Sequence, residues 1–179
     1  SLSQIKQLDI LISNAGTCEY IDFPDFNSDS FERVIQTNFL GNVYLIKELL
    51  PLLLKSSSPQ LVTVNSSVSF LPLPRAEAYG ASKAALDYMI EAMRISLQKE
   101  KIKFTTIYPG FIKTPLTDKN DFPMPFIMES KEAAKRIINA IIKEQSHCHF
   151  PKKLTLAFKL IGLLPNPLKQ ILLKQKFSK

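Results

Sequence analysis

Three short apolar runs rich in β-branched residues divide the chain, and each ends abruptly in polar or turn-forming residues. They occupy residues 8–13, 61–65 and 104–108. Continuous apolar runs of this length are typical of parallel strands that are covered on both faces. Segments with helical periodicity lie between them, and strands that alternate with helices favour right-handed crossovers. The sequence therefore predicts an α/β domain with a doubly wound parallel sheet.

The helical segments have recognisable ends. The capping-box pattern Asp29–Glu32 predicts a helix from about Ser30 to the region of Pro51, which should kink or end it. A second helix is expected from Glu77 to about Glu100, and a third from Ser130, as its cap, to about Lys143. His147 to Phe150 could form a last short strand. The proline-containing stretch 111–128 shows no period and is expected to be a functional loop.

The positive charge is confined to the end of the chain. The net charge is +7, and residues 151–179 hold seven lysines and no acidic residue, so residues 1–150 are neutral overall. This basic tail, with apolar residues at helical spacing, predicts one or two amphipathic helices. Two alternatives stay open: a docked helix with solvated lysines, or a lid that also rests on anionic lipid. No nucleic-acid binding is expected, because basic residues are not interleaved with aromatics over a folded face.

The remaining composition indicates one globular domain, since 45% of the 179 residues are apolar and 22% are charged. Two distant cysteines, Cys18 and Cys148, predict free thiols and a cytoplasmic location. Neither a signal peptide nor a membrane-spanning run is apparent. Two histidines flank Cys148, but no fourth ligand has suitable spacing, so no metal site is expected.

Tyr79 and Lys83 are four residues apart, which places both side chains on one face of the second helix. A phenol has a pKa of about 10, and a nearby ammonium group favours the phenolate and lowers that pKa. Carbonyl reduction needs an acid beside the oxygen, and alcohol oxidation needs the matching base. The pair alone is a weak signal, but Asn65-Ser66-Ser67 ends a strand just upstream.

With these residues, the stretch from Val62 to Asp87 resembles the active-site segment of the short-chain dehydrogenase/reductase family. Three other motifs match in order: Ser13–Gly16, Thr37–Gly41 and Tyr108–Thr114. The resemblance covers roughly residues 8–150. It implies a Rossmann-type sheet and an NAD(P)-dependent oxidoreductase that interconverts an aldehyde or ketone with an alcohol.

The resemblance also implies a role for each matching residue. Tyr79 would be the acid/base, Lys83 would lower its pKa and hold the nicotinamide ribose, and Asn38 would hold a proton-relay water. Residues lining NAD or NADP would be Asn14, Ala15, Gly16, Pro109, Gly110, Phe111, Ile112 and Thr114. A serine would orient the carbonyl. The count of 11 residues between Ser67 and Tyr79 is one short of the family's usual spacing and indicates Ser66. We favour Ser67, because the family's Ser-Ser-Val context usually has the catalytic residue second.

One departure from the family is large. The Gly-rich pyrophosphate loop and the first three strands are absent, so the sheet is expected to be incomplete, and the initial Ser1 suggests a fragment. Residues 1–150 would be the C-terminal, catalytic part of the Rossmann-type domain and 151–179 a tail. The alternative is a non-catalytic interaction or membrane-surface module.

Substrate and assembly are predicted only in outline. Apolar residues of the long loop suggest a hydrophobic carbonyl substrate, although plain core packing explains each of them equally well; they are Leu116, Phe122, Met124, Phe126 and Met128. The family resemblance implies a homo-oligomer, either a dimer or a tetramer, formed through the two long helices.

Overall fold

The protein is built around a four-stranded parallel sheet. A computed structural model describes residues 5–177, without the side chains of Lys119 and of 175–177. The strands of the sheet are β1 (Ile10–Ser13), β2 (Gln60–Val64), β3 (Lys103–Pro109) and β6 (His147–Phe150). They lie in the order β1-β2-β3-β6, and in register Leu11 lies beside Leu61 and Leu61 beside Phe104. The predicted α/β fold with a parallel sheet is confirmed.

Helices cover both faces of this sheet. They are α1 (Ser28–Ile35), α2 (Gly41–Leu53), α3 (Glu77–Ser96), α4 (Ser130–Ile142), α5 (Lys152–Gly162) and α6 (Asn166–Phe177). A π-helical turn, Gln36–Leu40, joins α1 to α2 without a break. One core cluster lies between the sheet, α2 and α3 around Leu61 and Leu86, and another packs α4 onto Val62 and Ile107. Parallel sheets are stable in this arrangement because their strands are apolar on both faces.

Two predicted helix starts differ from the structure by one or two residues, and in both cases a local hydrogen bond explains the difference. The first helix begins at Ser28, because the side chain of Asn27 accepts a hydrogen bond from the amide of Asp29 at 2.9 Å. Ser130 is the first residue of α4 rather than its cap, and its hydroxyl donates to the carbonyl of Lys113. Pro51 lies within α2, two residues before the helix ends.

The stretch 111–128 was predicted to be a loop, but it contains two strand segments. These are β4 (Ile112–Lys113) and β5 (Met128–Glu129), which pair in parallel as a separate small sheet. Two-residue strands show no periodicity, so the sequence pattern does not reveal them. Their pairing closes the base of the long loop, whose tip is thereby held near the carboxyl end of β3.

Strand β1 is less buried than predicted. Leu11 and Ser13 are buried, but Ile10 and Ile12 are 42% and 50% exposed. Among the described residues β1 pairs only with β2, so it forms one edge of the sheet. The edge of an apolar strand that is not paired is a place where a further strand can pair.

The basic tail forms two helices, as predicted, and α5 docks tightly on the rest of the molecule. Leu154 and Phe158 pack with Leu71 in a third core cluster. Glycines allow this approach: a Cβ on Gly162 would lie 2.4 Å from the carbonyl oxygen of Phe70, and one on Gly110 would lie 2.6 Å from Leu154. The last two residues of the tail lie outside the described part of the chain.

Candidate active site

Two adjoining cavities open where β1, β2 and β3 end and α3 begins. The first, which we call the cleft, has a volume of about 460 Å³ and is bordered by the turn after β1, by Lys83 and by the residues after β3. The second, which we call the chamber, has a volume of about 220 Å³ and lies under the long loop. Five residues border both spaces: Ser66, Tyr79, Gly110, Leu116 and Thr117. A group held in the cleft could therefore reach one held in the chamber across these residues.

Tyr79 lies in the first turn of α3, on the boundary between the cleft and the chamber. Burial raises the pKa of its phenol to about 12, and a hydrogen bond with Ser66 partly opposes this rise. Loss of water around the phenol is the largest cause of this shift, and the lowering of the pKa by Lys83 stays a prediction. The phenol is consequently neutral, and able to donate a proton, at physiological pH.

Lys83 lies one helical turn beyond Tyr79 and is only 4% exposed. Its Nζ donates a hydrogen bond to the carbonyl of Val64 at 2.9 Å and lies 5.9 Å from the centre of the Tyr79 ring. Burial lowers the pKa of this ammonium group to about 8. The expected proximity of the two groups is therefore present, and Lys83 also borders the cleft.

The serine that contacts the phenol is Ser66. Its hydroxyl hydrogen bonds with Tyr79 and also accepts from the amide of Val68 at 3.2 Å, as the cap of a short 3-10 turn at Ser67–Phe70. Ser67 borders the chamber but is 3% exposed. The geometry thus favours Ser66, which the count between the motifs indicates, over Ser67, which the motif context indicates.

Asn38 is fully buried in the π-helical turn, and no atom of its side chain is exposed to solvent. Its Nδ2 donates to the carbonyl of Thr17 at 2.8 Å and to the hydroxyl of Ser82 at 2.9 Å, and its Oδ1 accepts from the amide of Thr17 at 2.7 Å. The side chain thus ties the turn after β1 to α3. Its role in holding a relay water stays a prediction.

Most of the residues expected around a nicotinamide border the cleft. They are Asn14, Gly16, Pro109, Gly110, Ile112 and Thr114. Phe111 borders the chamber instead, and Ala15 borders neither space; its carbonyl accepts a hydrogen bond from Asn42 at 3.4 Å.

The cleft suits one end of a dinucleotide. A Cβ added to Gly16 would contact Lys83 Nζ at 3.5 Å and Asn38 Oδ1 at 3.6 Å, so glycine keeps open the space beside the ammonium group. The ammonium group of Lys83, the phenol of Tyr79 and apolar lining residues such as Ile112 match a ribose and a nicotinamide ring.

The chamber is largely apolar. Its walls include Leu73 and Val68 from the segment before α3, Phe111, and Phe158 from α5. Of the loop residues predicted to contact a substrate, Leu116 and Phe122 line the chamber and the other three do not. Phe126 is 57% exposed, and Met128 packs against the core under α4.

Polar contacts close the loop over the chamber. Tyr20 donates to Asn120 Oδ1 at 2.5 Å, and Arg75 forms ion pairs with Asp22 at 2.6 Å and Asp121 at 2.5 Å. Arg75 adopts a positive φ of 67° and also lies over the Tyr20 ring. Sequence reasoning did not identify these residues, because the partners lie up to 100 positions apart.

A second hydrogen-bond network, which the sequence analysis does not predict, holds the backbone of Ser66 in place. Asp87 Oδ1 accepts hydrogen bonds from Asn65 Nδ2 at 2.9 Å and from the hydroxyl of Tyr108 at 2.7 Å. Asn65 Oδ1 in turn accepts from the amide of Ser66 at 2.9 Å. Asp87 lies four residues after Lys83 and eight after Tyr79, and this spacing on one helix face is a signal that the sequence contains.

The residues around β6 form a stacked cluster rather than a ligand set. The rings of Tyr108 and His149 stack with centroids 4.6 Å apart, and burial lowers the pKa of His149 to about 4. In the described part of the chain, no group of three or more histidine, cysteine or acidic side chains is arranged to hold a metal. Both Cys18 and Cys148 are free, and burial raises the pKa of Cys18 to about 11.

Comparison with known proteins identifies relatives along most of the chain. An oxidoreductase of uncharacterized function from Myxococcus xanthus is 34% identical over 161 residues, which cover 90% of this chain and 64% of that protein. The 11-beta-hydroxysteroid dehydrogenase-like protein 4A of Arabidopsis thaliana is 31% identical over 173 residues, with 92% and 57% covered. The chain therefore spans less than two thirds of the length of these relatives.

Solved structures show the same fold. A short chain dehydrogenase from Burkholderia cenocepacia, in complex with NADP, matches with a TM-score of 0.81 at 20% identity and covers 99% of this chain and 72% of its own. A 3-ketoacyl-(acyl-carrier-protein) reductase from Brucella melitensis, complexed with NADH, matches with a TM-score of 0.71 at 21% identity over 83% and 68% of the two chains. The family model for short chain dehydrogenases matches residues 1–123. The chain belongs to the short chain dehydrogenase family.

Proposed function

We propose that the complete protein interconverts a carbonyl compound and an alcohol with NAD or NADP, and that Tyr79 exchanges the proton. The observation that carries this proposal is the position of Tyr79 and Ser66 on the boundary of the two cavities. A carbonyl compound bound in the chamber would place its oxygen beside both hydroxyls. Its carbonyl carbon would then face the cleft. General acid catalysis requires this proximity between the acid and the reacting oxygen.

The cofactor would bind in the cleft, and the nicotinamide supplies or accepts the hydride when it is bound. Lys83 would donate to the ribose, while Pro109, Gly110, Ile112 and Thr114 would line the ring and Asn14 and Gly16 the opposite wall. The NADP and NADH complexes of the Burkholderia and Brucella proteins support this choice of cofactor.

Proton transfer follows from the state of Tyr79. With a pKa of about 12 the phenol is protonated at neutral pH, so it can donate to a carbonyl oxygen as that oxygen gains negative charge. Ser66 would hold the same oxygen through its hydroxyl. In the oxidation direction the phenolate is the base, and the ammonium group 5.9 Å from the ring would stabilise it.

The substrate would be an apolar aldehyde or ketone. Phe111, Phe122 and Phe158 supply much of the chamber wall, and the polar groups lie at the loop contacts made by Arg75 and Asn120. Apolar pockets with a few placed polar groups are typical of small-molecule sites. We further propose a cytoplasmic location and a homo-oligomer formed through α2 and α3.

Cofactor titration of the complete gene product, followed by a panel of aldehydes and ketones, tests the proposal. Binding of NAD or NADP and oxidation of the reduced cofactor by an apolar carbonyl compound are expected. The contrasting candidate is a non-catalytic interaction module, which would not need a bound dinucleotide. Absence of dinucleotide binding by the complete gene product would contradict the enzyme and support that module.

A further inference from the structure

Helix α5 has two apolar faces, and only one of them is used in docking. Leu154 and Phe158 are 4% and 8% exposed and pack on the body of the protein. Leu156, Leu160 and Leu163 are 58%, 57% and 83% exposed. Their spacing of four and three residues places them on one face of the helix, which points away from the docked side. A helix that only docks on the protein explains why Leu154 and Phe158 are buried. It does not explain why the three leucines on the opposite face are exposed.

Helix α6 continues the same pattern. Leu168, Ile171 and Leu172 are 50%, 56% and 39% exposed, again at helical spacing, whereas Leu173 is 9% exposed and belongs to the core cluster under α5. Single exposed leucines need no explanation, but six large aliphatic side chains exposed along α5, its C-terminal cap Leu163 and α6 are unusual for a solvated protein. We name these six residues the outer tail surface.

The charge of this region indicates what the surface contacts. Residues 151–179 contain seven lysines and no acidic residue. Lys152, Lys153 and Lys174 are exposed, whereas Lys159 Nζ lies 3.4 Å from His149 Nε2 and Lys169 donates to the carbonyl of Gly162 at 3.1 Å. Helices with exposed apolar residues flanked by lysines, and without acidic residues, bind anionic membrane interfaces.

We propose that the outer tail surface docks on the headgroup region of an anionic membrane, with the exposed lysines on the lipid phosphates and carboxylates. The proposed contact is peripheral. In the described part of the chain no helix is long and apolar enough to cross a bilayer. This inference goes beyond the proposed reaction and does not depend on it.

The position of α5 gives the contact a consequence for the site. The same helix that presents Leu156 and Leu160 outward places Phe158 in the wall of the chamber. A protein held at the interface by α5 would have its chamber close to the phase in which an apolar carbonyl compound accumulates. The substrate would then reach the chamber from the lipid.

Sedimentation with vesicles tests the proposal in the absence of any substrate. Vesicles of phosphatidylcholine and phosphatidylserine in equal amounts are expected to bind the full chain at least about tenfold more tightly than phosphatidylcholine alone, and added salt is expected to weaken that binding. The triple substitution Leu156→Gln, Leu160→Gln, Leu163→Gln is expected to weaken it by about tenfold or more, since each leucine loses its apolar contact. Equal binding to the two kinds of vesicle would overturn the proposal.

A matched control and a second variant keep the test decisive. Ile138→Gln with Ile142→Gln removes two exposed apolar side chains from α4, 56% and 75% exposed, and should leave vesicle binding unchanged. If the leucine variant is poorly folded by circular dichroism, Lys152→Glu with Lys153→Glu should remove the preference for anionic vesicles; retention of that preference would contradict the proposal. A change in oligomer size on leucine substitution, with vesicle binding intact, would assign the surface to a second copy of the chain and also refute the membrane contact.

Discussion

Asp87→Ala is expected to disturb both stability and catalysis, because Asp87 Oδ1 accepts two hydrogen bonds at the end of β2. Hydrogen bonds to a charged acceptor contribute about 1.5–3 kcal/mol each, and partners left unpaired in the interior add to the loss. Asn65 is 3% exposed and Tyr108 2%, so neither donor gains water easily. The partial exposure of Asp87 itself reduces the effect. We expect the free energy of unfolding to fall by about 2–4 kcal/mol.

The matched variant is Asp87→Asn, which keeps an oxygen in the position that accepts from both Asn65 and Tyr108. Chemical denaturation should show that it retains most of the stability that Asp87→Ala loses. In kinetic assays of the complete gene product, Asp87→Ala should lower kcat more than it weakens cofactor binding, since Asn65, which Asp87 holds, accepts a hydrogen bond from the amide of Ser66 beside Tyr79. Asp87→Asn should restore much of kcat.

The pH dependence separates positioning from general destabilisation. The hydrogen bond with Ser66 lowers the pKa of Tyr79, so a displaced Ser66 should move the alkaline limb of the kcat profile to higher pH in Asp87→Ala. An unchanged alkaline limb together with reduced kcat would refute the positioning role. If Asp87→Asn were as inactive as Asp87→Ala, the carboxylate charge rather than the hydrogen-bond geometry would be what matters.

Gly162→Ala should lower the melting temperature, because the added Cβ would lie 2.4 Å from a backbone oxygen. The control Gly80→Ala, whose Cβ would lie 3.8 Å from its nearest atom, should be neutral or stabilising. Equal melting temperatures for the two variants would contradict the tight docking of α5. Lys83→Met should abolish most activity without loss of stability at pH 7, because burial lowers the pKa of Lys83 to about 8 and so disfavours the charged form in the folded protein. The charged Lys83 therefore destabilises the folded protein below pH 8, and this destabilisation disappears as the pH rises towards the unfolded pKa near 10.5. Unfolding curves of both proteins over a pH series check this direction. Ser66→Ala should reduce kcat at least about a hundredfold and Ser67→Ala far less, as measured by steady-state kinetics; the reverse order would restore Ser67.

The fold and the arrangement of the main site residues could be predicted because they depend on local patterns. Apolar runs fixed the strands, and the spacing of Tyr79 and Lys83 on one helix brought the two groups together. The half-buried carboxylate of Asp87 could also have been identified from the sequence, since Asp87 extends the same spacing by one more helical turn.

The remaining features depend on contacts that no local pattern contains. The choice of Ser66 over Ser67 follows from the 3-10 turn that Ser66 caps, and the pKa of Tyr79 follows from burial that only the folded chain creates. The hydrogen bond between Tyr20 and Asn120 joins residues 100 positions apart. Short strands such as β4 and β5 are equally invisible, because two residues have no period.

The proton-donating role of Tyr79 is tested most directly by Tyr79→Phe in the complete gene product, with cofactor binding and turnover measured on the same preparation. Removal of one hydroxyl from the boundary of the two cavities should leave the affinity for NAD or NADP nearly unchanged and reduce kcat by about 10²–10⁴-fold, the usual contribution of a positioned acid. Turnover within a few fold of the unmodified protein, with cofactor bound, would contradict the assignment of Tyr79 as the acid.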